Sequence, residues 1–518
     1  MTFPYLDNLH RAFSFQVSAN AESPALVLGL REKVTYTALN QRSDYFARYL
    51  LSIGVARGDV VGIFHSKTVD GYAVMLACLK IGAPYVNLDD ENPPDRLRKI
   101  LAISQPRLLV ADGGVPESTA QACAANGLAP IDLSGLPAAP PAASTQPTAP
   151  VDAVIGSDVA YIMFTSGSTG IPKGVAISHA QVINFIAWAK HEFAIVPGDV
   201  ISNVNPMFFD NTVFDFYASL FNGAALAPIP RPLLKDPQRL VQQVTEAACT
   251  LWFSVPSLLI YLTTTRTLDQ STWPAMRAIV FGGEGYPKPE LQKLYKLLGS
   301  RVRFVNVYGP TECTCICSAY EVTDRDFVEP SGLPPIGHLA RNFRGLLLDG
   351  DQTVPPGETG ELCLLGPNVG IGYYRDPVRT GEAFVANPAC TGHTDRMYRT
   401  GDLMRRDPSD GLLRFVARKD NQIKHMGYRI ELEEIETALA CLPGISQCAV
   451  VYKRSRSQFG NIVAYVAGES HQLDAERIAD QLRVVLPPYM VPRRIEIRDA
   501  LPKNANGKID RNTLTEEA

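Results

Sequence analysis

The stretch VAYIMFTSGSTGIPKG, residues 159–174, decides how the rest of the sequence is interpreted. Its first half is an apolar run typical of a buried strand, and its second half is rich in glycine and hydroxyl side chains. Three glycines and four hydroxyl residues give a loop whose backbone N–H groups can approach phosphate oxygens closely. A Walker loop is excluded, because Pro172 stands where the second glycine would precede Lys173. The alternative, a flexible solvent loop, rarely combines these features behind a buried strand.

Helix-like and strand-like segments alternate upstream of this loop. Residues 39–55 and 71–83 have the apolar spacing of helices, whereas residues 59–66 and 106–112 are short apolar runs typical of buried strands. Alternation of this kind predicts an α/β fold with a largely parallel sheet.

The length of 518 residues predicts at least two domains, because a single hydrophobic core stops growing well below that size. A stretch rich in proline and alanine, residues 136–150, is typical of a surface loop or a short linker. A second change in composition falls near residues 418–421, and a separate set of helix-like and strand-like segments follows it. We therefore predict a large α/β domain over residues 1–419 and a small α+β domain over residues 420–518.

The bulk composition argues against several classes of function. A net charge of −4 and a pI near 6.1 disfavour a nucleic-acid partner, which needs a concentrated basic surface. We find no charged leader followed by a long apolar stretch and no run of about eighteen apolar residues, so neither a signal peptide nor a membrane span is expected. Ten cysteines without a CxxC pair favour the reducing cytoplasm. Cys313, Cys315 and Cys317 alternate, which favours a buried strand face over a metal site.

Seven further motifs occur in the order expected of one protein family and span nearly the whole chain. They are VTYTALN (34–40), LKIGAPYVNLD (79–89), NVYGPTE (306–312), GELCLLGPNVGIGYY (360–374), YRTGDL (398–403), ARKDNQIKHMGYRIELEEIE (417–436) and PKNANGKIDR (502–511). Together with the loop at 165–174, they resemble the adenylate-forming superfamily. That family includes adenylation domains of nonribosomal peptide synthesis, acyl- and aryl-CoA ligases, and luciferase. The resemblance implies a large N-terminal domain of mixed sheets and helices and a small, mobile C-terminal α+β domain.

The resemblance implies a reaction in which a carboxylate attacks the α-phosphate of ATP and pyrophosphate leaves, with Mg²⁺ present. Positioning and charge neutralisation do most of the work in such chemistry. The family pattern assigns catalysis to Lys508, Glu312 and Thr311, with Glu312 as the metal ligand. It assigns the nucleotide site to Thr165, Ser166, Gly167, Ser168, Thr169, Gly170, Lys173, Gly283, Glu284, Asn306, Tyr308, Gly309, Asp402 and Arg418.

Several of these residues take specific roles by the same resemblance. Lys173 would place its charge at the β- and γ-phosphates, and Tyr308 would stack on adenine. Asp402 would accept bonds from both ribose hydroxyls, whereas outside its motif it would be a capping or turn residue. Lys508 would neutralise the carboxylate and the phosphate as they approach each other. Without the resemblance it would be taken for a solvated turn lysine, as most Gly-Lys pairs are.

Two positions at the start of the small domain would control the second half-reaction. Asp420 matches the hinge residue about which the small domain rotates after adenylation. Gly427 falls where the incoming pantetheine thiol would pass, and glycine leaves room for it.

The segment NPMFFDNTVFDFY, residues 205–217, matches the motif that opens the acyl pocket. Asp210 falls where amino-acid-activating members carry an aspartate that pairs with the substrate ammonium; the alternative is a helix N-cap. The rest of the wall would be Asn211, Phe214, Phe253, Val280, Gly282, Val307, Cys315 and Ile316. Two phenylalanines and no further charge predict a small or medium neutral amino acid. The stretch DNQIKHMGYRIELEEIE, residues 420–436, is similar to D-alanine:carrier-protein ligases, but Gly282 replaces their pocket cysteine.

The chain ends soon after the NGKIDR motif, with no phosphopantetheine-attachment or condensation motif. We therefore expect a free-standing ligase that loads a separate phosphopantetheinylated carrier protein. Two alternatives remain open: an acyl- or aryl-CoA ligase that uses coenzyme A, and a catalytically silent nucleotide-binding protein on the same fold. Retention of Lys173, Glu312, Asp402 and Lys508 together speaks against the silent protein.

Overall fold

The computed structural model describes residues 6–29, 32–137, 153–167, 169–453, 460–468, 473–503 and 509–517. The predicted linker at residues 136–150 lies almost entirely outside the described residues. So do two of the predicted site residues, Ser168 and Lys508.

Helices and strands alternate along the first part of the chain, as the sequence predicts. The elements are α1 Leu9–Ala19, β1 Pro24–Val27, β2 Lys33–Thr35, α2 Tyr36–Ser52, β3 Val61–Phe64, α3 Val69–Ile81, β4 Tyr85–Leu88, α4 Pro94–Ser104, β5 Leu108–Ala111, α5 Glu117–Ala124 and β6 Pro130–Asp132. Helix α3 shows why the boundaries fall where they do. The Thr68 hydroxyl accepts a hydrogen bond from the Gly71 N–H at its start, and Gly82, at φ +70°, ends it in the left-handed region.

The middle of the chain continues the alternation and carries most of the site. Its elements are β7 Val159–Thr165, β8 Lys173–Ser178, α6 His179–Glu192, β9 Val200–Asn203, α7 Asn211–Val213, β10 Ala225–Pro228, α8 Pro237–Glu246, β11 Leu251–Ser254, α9 Pro256–Thr264, β12 Ala278–Gly282, α10 Lys288–Leu298, β13 Arg303–Tyr308, β14 Ser318–Glu321 and β15 His338–Leu339. The short helix α7 passes directly into a π-helical turn at Phe214–Ala218.

An antiparallel region and the small domain follow. Their elements are β16 Arg344–Asp349, β17 Gln352–Thr353, β18 Thr359–Leu365, β19 Gly372–Tyr373, α11 Pro377–Ala383, β20 Phe384–Ala386, β21 Arg396–Arg406, β22 Leu413–Arg418, β23 Gln422–His425, β24 Tyr428–Glu431, α12 Leu432–Ala440, β25 Ile445–Lys453, β26 Asn461–Gly468, α13 Ala475–Val485, β27 Arg494–Arg498 and α14 Arg511–Glu517.

Two large sheets form the centre of the large domain. One has the strand order β19-β8-β7-β4-β3-β5-β6, and the other has the order β15-β14-β13-β12-β11-β9-β10-β1-β2. The central strands of both sheets pair in parallel, so the loops that leave their carboxyl ends meet on the same side. A third sheet, β17-β16-β18-β21-β20 with β22 on β21, is antiparallel.

The small domain has its own core. The hairpin β23–β24 is followed by a sheet in the order β25-β26-β27, against which α12 and α13 pack. Ile430, Ile435, Val450 and Leu482 are among its buried apolar side chains.

The predicted fold class is confirmed: a large domain of mixed sheets and helices is followed by a small α+β domain. No helix in the described ranges is long and apolar enough to cross a membrane. The boundary between residues 419 and 420 falls between β22 and β23 and stays a prediction.

Candidate active site

The glycine- and hydroxyl-rich loop connects β7 to β8. Thr165 and Lys173 face each other across that antiparallel pair, so the loop begins and ends at the same end of a buried strand. A Cβ on Gly167 would lie 2.1 Å from the Ile171 carbonyl oxygen, which only glycine tolerates. Ser166 Oγ donates to the Arg429 carbonyl at 2.7 Å, and Thr169 Oγ1 accepts from Arg379 at 2.7 Å. Two of the loop hydroxyls, those of Ser166 and Thr169, are therefore hydrogen-bonded to neighbouring groups.

Glu312 lies in a short turn, Thr311–Cys313, just beyond β13. Its side chain is fully buried, and its two oxygens accept from one guanidinium nitrogen of Arg429 at 3.0 and 2.8 Å. The Tyr373 hydroxyl donates to the same carboxylate at 3.0 Å. Burial alone would raise the pKa of Glu312, but the charges of Arg429 and Lys173 lower the pKa to about 2. Glu312 is therefore an anion at neutral pH.

A cavity of about 130 Å³ opens where β12 and β13 end. Seven of the residues that line it are Gly283, Glu284, Asn306, Tyr308, Asp402, Arg418 and Lys424. The Asp402 carboxylate accepts from the Tyr308 hydroxyl and from Arg418 at 2.9 Å. Six of the seven are predicted nucleotide ligands, so the fold brings together residues that lie up to 135 positions apart (Gly283 to Arg418).

A second, smaller cavity of about 60 Å³ adjoins the first. Residues on its wall include Asp210, Asn211, Phe253, Val307, Cys315 and Ile316, all of them predicted pocket residues. Three other predicted wall residues lie behind this surface. Phe214 packs edge-on against Phe253 at 5.2 Å between ring centroids, and Val280 and Gly282 are buried on β12.

Asp210 makes no side-chain capping bond to α7, although it precedes that helix. Its carboxylate instead accepts a hydrogen bond from Thr311 Oγ1 at 2.6 Å. Burial raises the pKa of Asp210, and the Thr311 hydroxyl and the Lys424 charge only partly offset that effect. The structure thus does not support the capping interpretation and leaves a carboxylate facing the smaller cavity.

The cysteine prediction was wrong in its secondary structure. Cys313 ends a turn, Thr314 and Cys315 have φ values of +58° and +73°, and the strand β14 begins only at Ser318. The alternation of the three cysteines predicts a strand face, but alternation carries no information about left-handed residues. All three are buried, and no group of three His, Cys, Asp or Glu side chains within the described ranges could hold a metal.

The turn of the β23–β24 hairpin reaches the large domain beside both cavities. Gly427, at φ +82°, donates its N–H to Glu284 Oε2 at 3.1 Å, and a Cβ there would lie 2.5 Å from a Val255 methyl. A third cavity, of about 440 Å³, opens beside this turn. Among the residues that line it are Asp210, Asn211, Val255, Tyr261, Met426 and Tyr428. Gly427 therefore lines both the third cavity and the smaller cavity, as Asp210 does.

Asp420, the predicted hinge residue, is bound to the large domain through Arg418. Arg418, the last residue of β22, forms an ion pair with Asp420, and the same guanidinium contacts Asp402 and the Thr400 carbonyl. Burial raises the pKa of Asp420, but Arg418 lowers it below its ordinary value overall.

Sequence reasoning missed two cations of the hairpin, Lys424 and Arg429. They are cross-strand partners in β23 and β24, and both reach into the site. The Lys424 ammonium lies 5.6 Å from the centre of the Tyr308 ring, and no carboxylate of the described chain lies within ion-pair distance of it. Two like charges placed opposite each other on neighbouring strands repel. Anionic groups on the large domain, opposite this hairpin, would therefore stabilise the pair.

Known proteins are similar to this chain over nearly its whole length. The family described as AMP-binding enzyme matches residues 13–374, and its C-terminal domain matches residues 434–508. L-proline--[L-prolyl-carrier protein] ligase of Pseudomonas fluorescens is 33% identical over 506 residues, which are 95% of each chain. Malpibaldin synthetase of Mortierella alpina is 36% identical over 99% of this chain, which spans only 9% of that synthetase. The solved structure of holo-PA1221, an NRPS protein containing adenylation and PCP domains, has a TM-score of 0.84 at 28% identity; the match covers 99% of this chain and 84% of that one.

Proposed function

Because the chain belongs to the family of AMP-binding enzymes, we propose that it is a ligase that activates a small or medium neutral amino acid. ATP and the amino acid would give an aminoacyl-AMP and pyrophosphate. The aminoacyl group would then pass to the phosphopantetheine thiol of a separate carrier protein.

The observation that carries the amino acid assignment is Asp210. Its carboxylate faces a cavity whose wall includes the uncharged side chains of Phe253, Val307 and Ile316 and the hairpin cations Lys424 and Arg429. The Thr311 hydroxyl donates a hydrogen bond to this carboxylate. Its raised pKa indicates that burial of this anion is not fully compensated. A substrate ammonium would supply the missing charge, whereas an acid without the amine would leave the carboxylate unpaired. The discrimination should be on the order of 2–5 kcal/mol.

The ATP assignment rests on the larger cavity and the loop beside it. Tyr308 and Asp402 line that cavity. The Lys173 ammonium is close enough to Glu312 for its charge to lower the pKa of that carboxyl. Glu312 suits a hard cation such as Mg²⁺ because its oxygens are ionised at neutral pH. No cluster of three carboxylate, thiolate or imidazole ligands accompanies it in the described chain. The bound ion would neutralise phosphate charge and take its other ligands from phosphates and water.

Two features support transfer to a carrier protein. Gly427 lines both the third cavity and the smaller cavity, so the two adjoin at this turn, as a path for a long thiol arm requires. The proline ligase relative, which is similar over its full length, is named for a carrier-protein substrate. The identity of the side chain is proposed only as small or medium and neutral, from Phe253, Val307 and Ile316 on the wall.

The test is a panel of amino acids read by exchange of labelled pyrophosphate into ATP, followed by mass spectrometry of holo carrier proteins. We expect strong exchange with one small neutral amino acid and a covalent aminoacyl adduct on a carrier. An inactive apo carrier, which lacks the thiol arm, is the matched control. Rapid acyl-CoA formation without carrier loading would instead identify a CoA ligase, and no exchange with any acid would contradict adenylation.

A further inference from the structure

The strands β9 and β11 separate where the acyl pocket begins. Their described pairing is limited to Leu251 and Ile201, whereas on its other side β11 pairs with β12 along its whole length. Two residues beyond that last pair, the Phe253 carbonyl accepts a hydrogen bond from the Asn205 side-chain amide at 2.9 Å. A single side chain therefore connects the chain that follows β9 to β11 at the pocket wall.

The same amide also binds Asp215, near the end of the segment that opens the pocket. Asn205 Nδ2 donates to Asp215 Oδ2 at 3.0 Å, and Asn203 Nδ2 donates to the same oxygen at 2.8 Å. Asp215 belongs to the π-helical turn, and its side chain is fully buried. Its carboxylate therefore closes residues 205–215 into a loop, and Asp210 lies in the middle of that loop.

The charge of the Asp215 carboxylate is opposed by a buried cation from the other large sheet. Lys67 follows β3, and its ammonium donates to the carbonyls of Asn203 at 2.7 Å and Ile229 at 2.9 Å. Burial raises the pKa of Asp215, although the two asparagine amides and the Lys67 charge act in the opposite direction. No described group donates to its second oxygen, Oδ1. A carboxylate buried in this way adds little stability, so stability alone does not explain its presence.

We propose that Asp215 and Asn205 are positioning residues of the acyl pocket. Their hydrogen bonds hold Asp210, on the closed loop, at a fixed place relative to Phe253, on β11. The inference rests on the proposed function, which assigns Asp210 to the substrate ammonium and Phe253 to the substrate side chain. The substrate contacts those two side chains, and their relative placement depends on Asn205 and Asp215 behind them.

The first test measures the KM for the amino acid and the KM for ATP in pyrophosphate exchange. Asn205→Ala removes the connection between the loop and β11 but keeps the charges of Lys67 and Asp215. We expect the KM for the amino acid to rise about tenfold and the KM for ATP to stay unchanged. The preference for the amino acid over its des-amino analogue should fall as well, because Asp210 is displaced. An unchanged KM for the amino acid would overturn the proposal.

The second test breaks the same connection from its other end. Asp215→Leu keeps a side chain of similar size and removes the acceptor, so it should raise the KM for the amino acid at least as much as Asn205→Ala. The double variant should be no worse than Asp215→Leu alone, because both changes break one connection. Additive effects would overturn the proposal. Asn205 lines the third cavity, so Asn205→Ala should fold even where Asp215→Leu does not, and its KM then decides alone.

The competing explanation is that Asp215 serves only to balance the charge of Lys67. Asp215→Leu would then lower the thermal unfolding midpoint without a specific change in the KM for the amino acid. Asn205→Ala, which keeps both charges, would leave that KM at the wild-type value. That pattern would contradict a positioning role.

Tyr36→Phe is the matched control for the loss of buried hydrogen bonds. The Tyr36 hydroxyl donates to the carbonyls of Leu220 and Ala224, and none of these three residues lines the cavities of the site. The variant should lower the unfolding midpoint and change neither KM; an equal rise in the KM for the amino acid would overturn the proposal. Absence of amino-acid-dependent exchange in the wild type would instead overturn the proposed function, and this inference with it.

Discussion

The loop at residues 165–174 and the hairpin at residues 422–431 contribute to the same site in opposite ways. The loop belongs to the large domain and offers glycine backbone and hydroxyl groups, a composition that by itself indicates phosphate binding. The hairpin offers two cations and a glycine turn, and the family motif singles out the glycine, Gly427, but neither cation. Only the docked arrangement of the two domains brings Arg429 to Glu312, 117 residues away, and its carbonyl to Ser166, 263 residues away.

This difference shows which functional groups of a two-domain enzyme can be identified from the sequence alone. A group that binds ligand through its own backbone is recognisable locally, because the geometry requires unusual residue types in sequence. A group that binds by charge, such as Arg429, needs a partner of opposite charge. Here the partner, Glu312, lies in the other domain and is reached only when the two domains are docked. Variants on each side can therefore test whether the loop and the hairpin serve separate half-reactions.

The largest effect is expected at Lys508, which lies outside the described residues and whose role rests on the family resemblance. Lys508→Ala should lower aminoacyl-AMP formation by about 10²–10³, the usual loss for one preorganised charge contact. Transfer from chemically supplied aminoacyl-AMP to the carrier should survive. Rapid-quench measurement of each half-reaction checks this, and equal damage to both steps would argue against domain alternation.

The next effect concerns acid stability at Glu312. Its pKa is about 2, against an ordinary 4.5, because Arg429 and Lys173 outweigh the cost of burial. A pKa that is lower in the folded state gives stability that is present above the unfolded value and lost as the pH falls through the folded value. Between about pH 5 and about pH 3 the loss should be about 2 kcal/mol.

Glu312→Gln should therefore flatten this part of the acid profile, measured as the fall in the thermal unfolding midpoint. Glu321→Gln is the matched control, since Glu321 is an exposed carboxylate paired with Arg303. An unchanged acid profile in Glu312→Gln would show that its ion pair with Arg429 does not persist in solution.

The smallest effect is expected at the hairpin turn. Gly427→Ala places a Cβ 2.5 Å from Val255 at a φ of +82°, so the turn must move away from the pocket. Thioester formation should fall about tenfold, equivalent to about 1.4 kcal/mol, because contact of the new Cβ with Val255 displaces the turn from the pocket. Amino-acid-dependent pyrophosphate exchange should be almost unchanged.

Gly411→Ala provides the comparison for Gly427→Ala. Gly411 has a φ of +73° in the turn between β21 and β22, but a Cβ there meets nothing within 4 Å. It therefore imposes the same backbone strain without the contact. If both variants lose thioester formation equally, strain alone is responsible and the turn has no special place in acyl transfer.

Much of the fold could be predicted because its signals are local. The alternation that predicts α2, β3, α3 and β5 comes from apolar spacing, and each of those elements is present. The cysteine segment failed for an equally local reason. Alternating residues suggest a strand, but left-handed φ values at Thr314 and Cys315 turn the chain instead. Neither threonine nor cysteine is a residue type that predicts a left-handed φ.

The site residues could be predicted where a family motif fixes an individual residue. They were harder to predict where packing determines whether a side chain reaches the cavity. Asp210, Phe253 and Cys315 do line one cavity, as the resemblance implies. Phe214 lies behind Phe253 because the chain passes into a π-helical turn there. Nothing in the sequence shows that Arg429, unlike the neighbouring charged residues, binds both oxygens of a buried carboxylate.

The preference for an amine is the most direct measure of the central claim that this enzyme activates amino acids. Pyrophosphate exchange should be compared for the best amino acid and its des-amino analogue, on the wild type and on Asp210→Asn. We predict a preference of about 30-fold or more for the amino acid in the wild type, and most of it should disappear in Asp210→Asn. Equal exchange with both acids in the wild type would contradict the assignment.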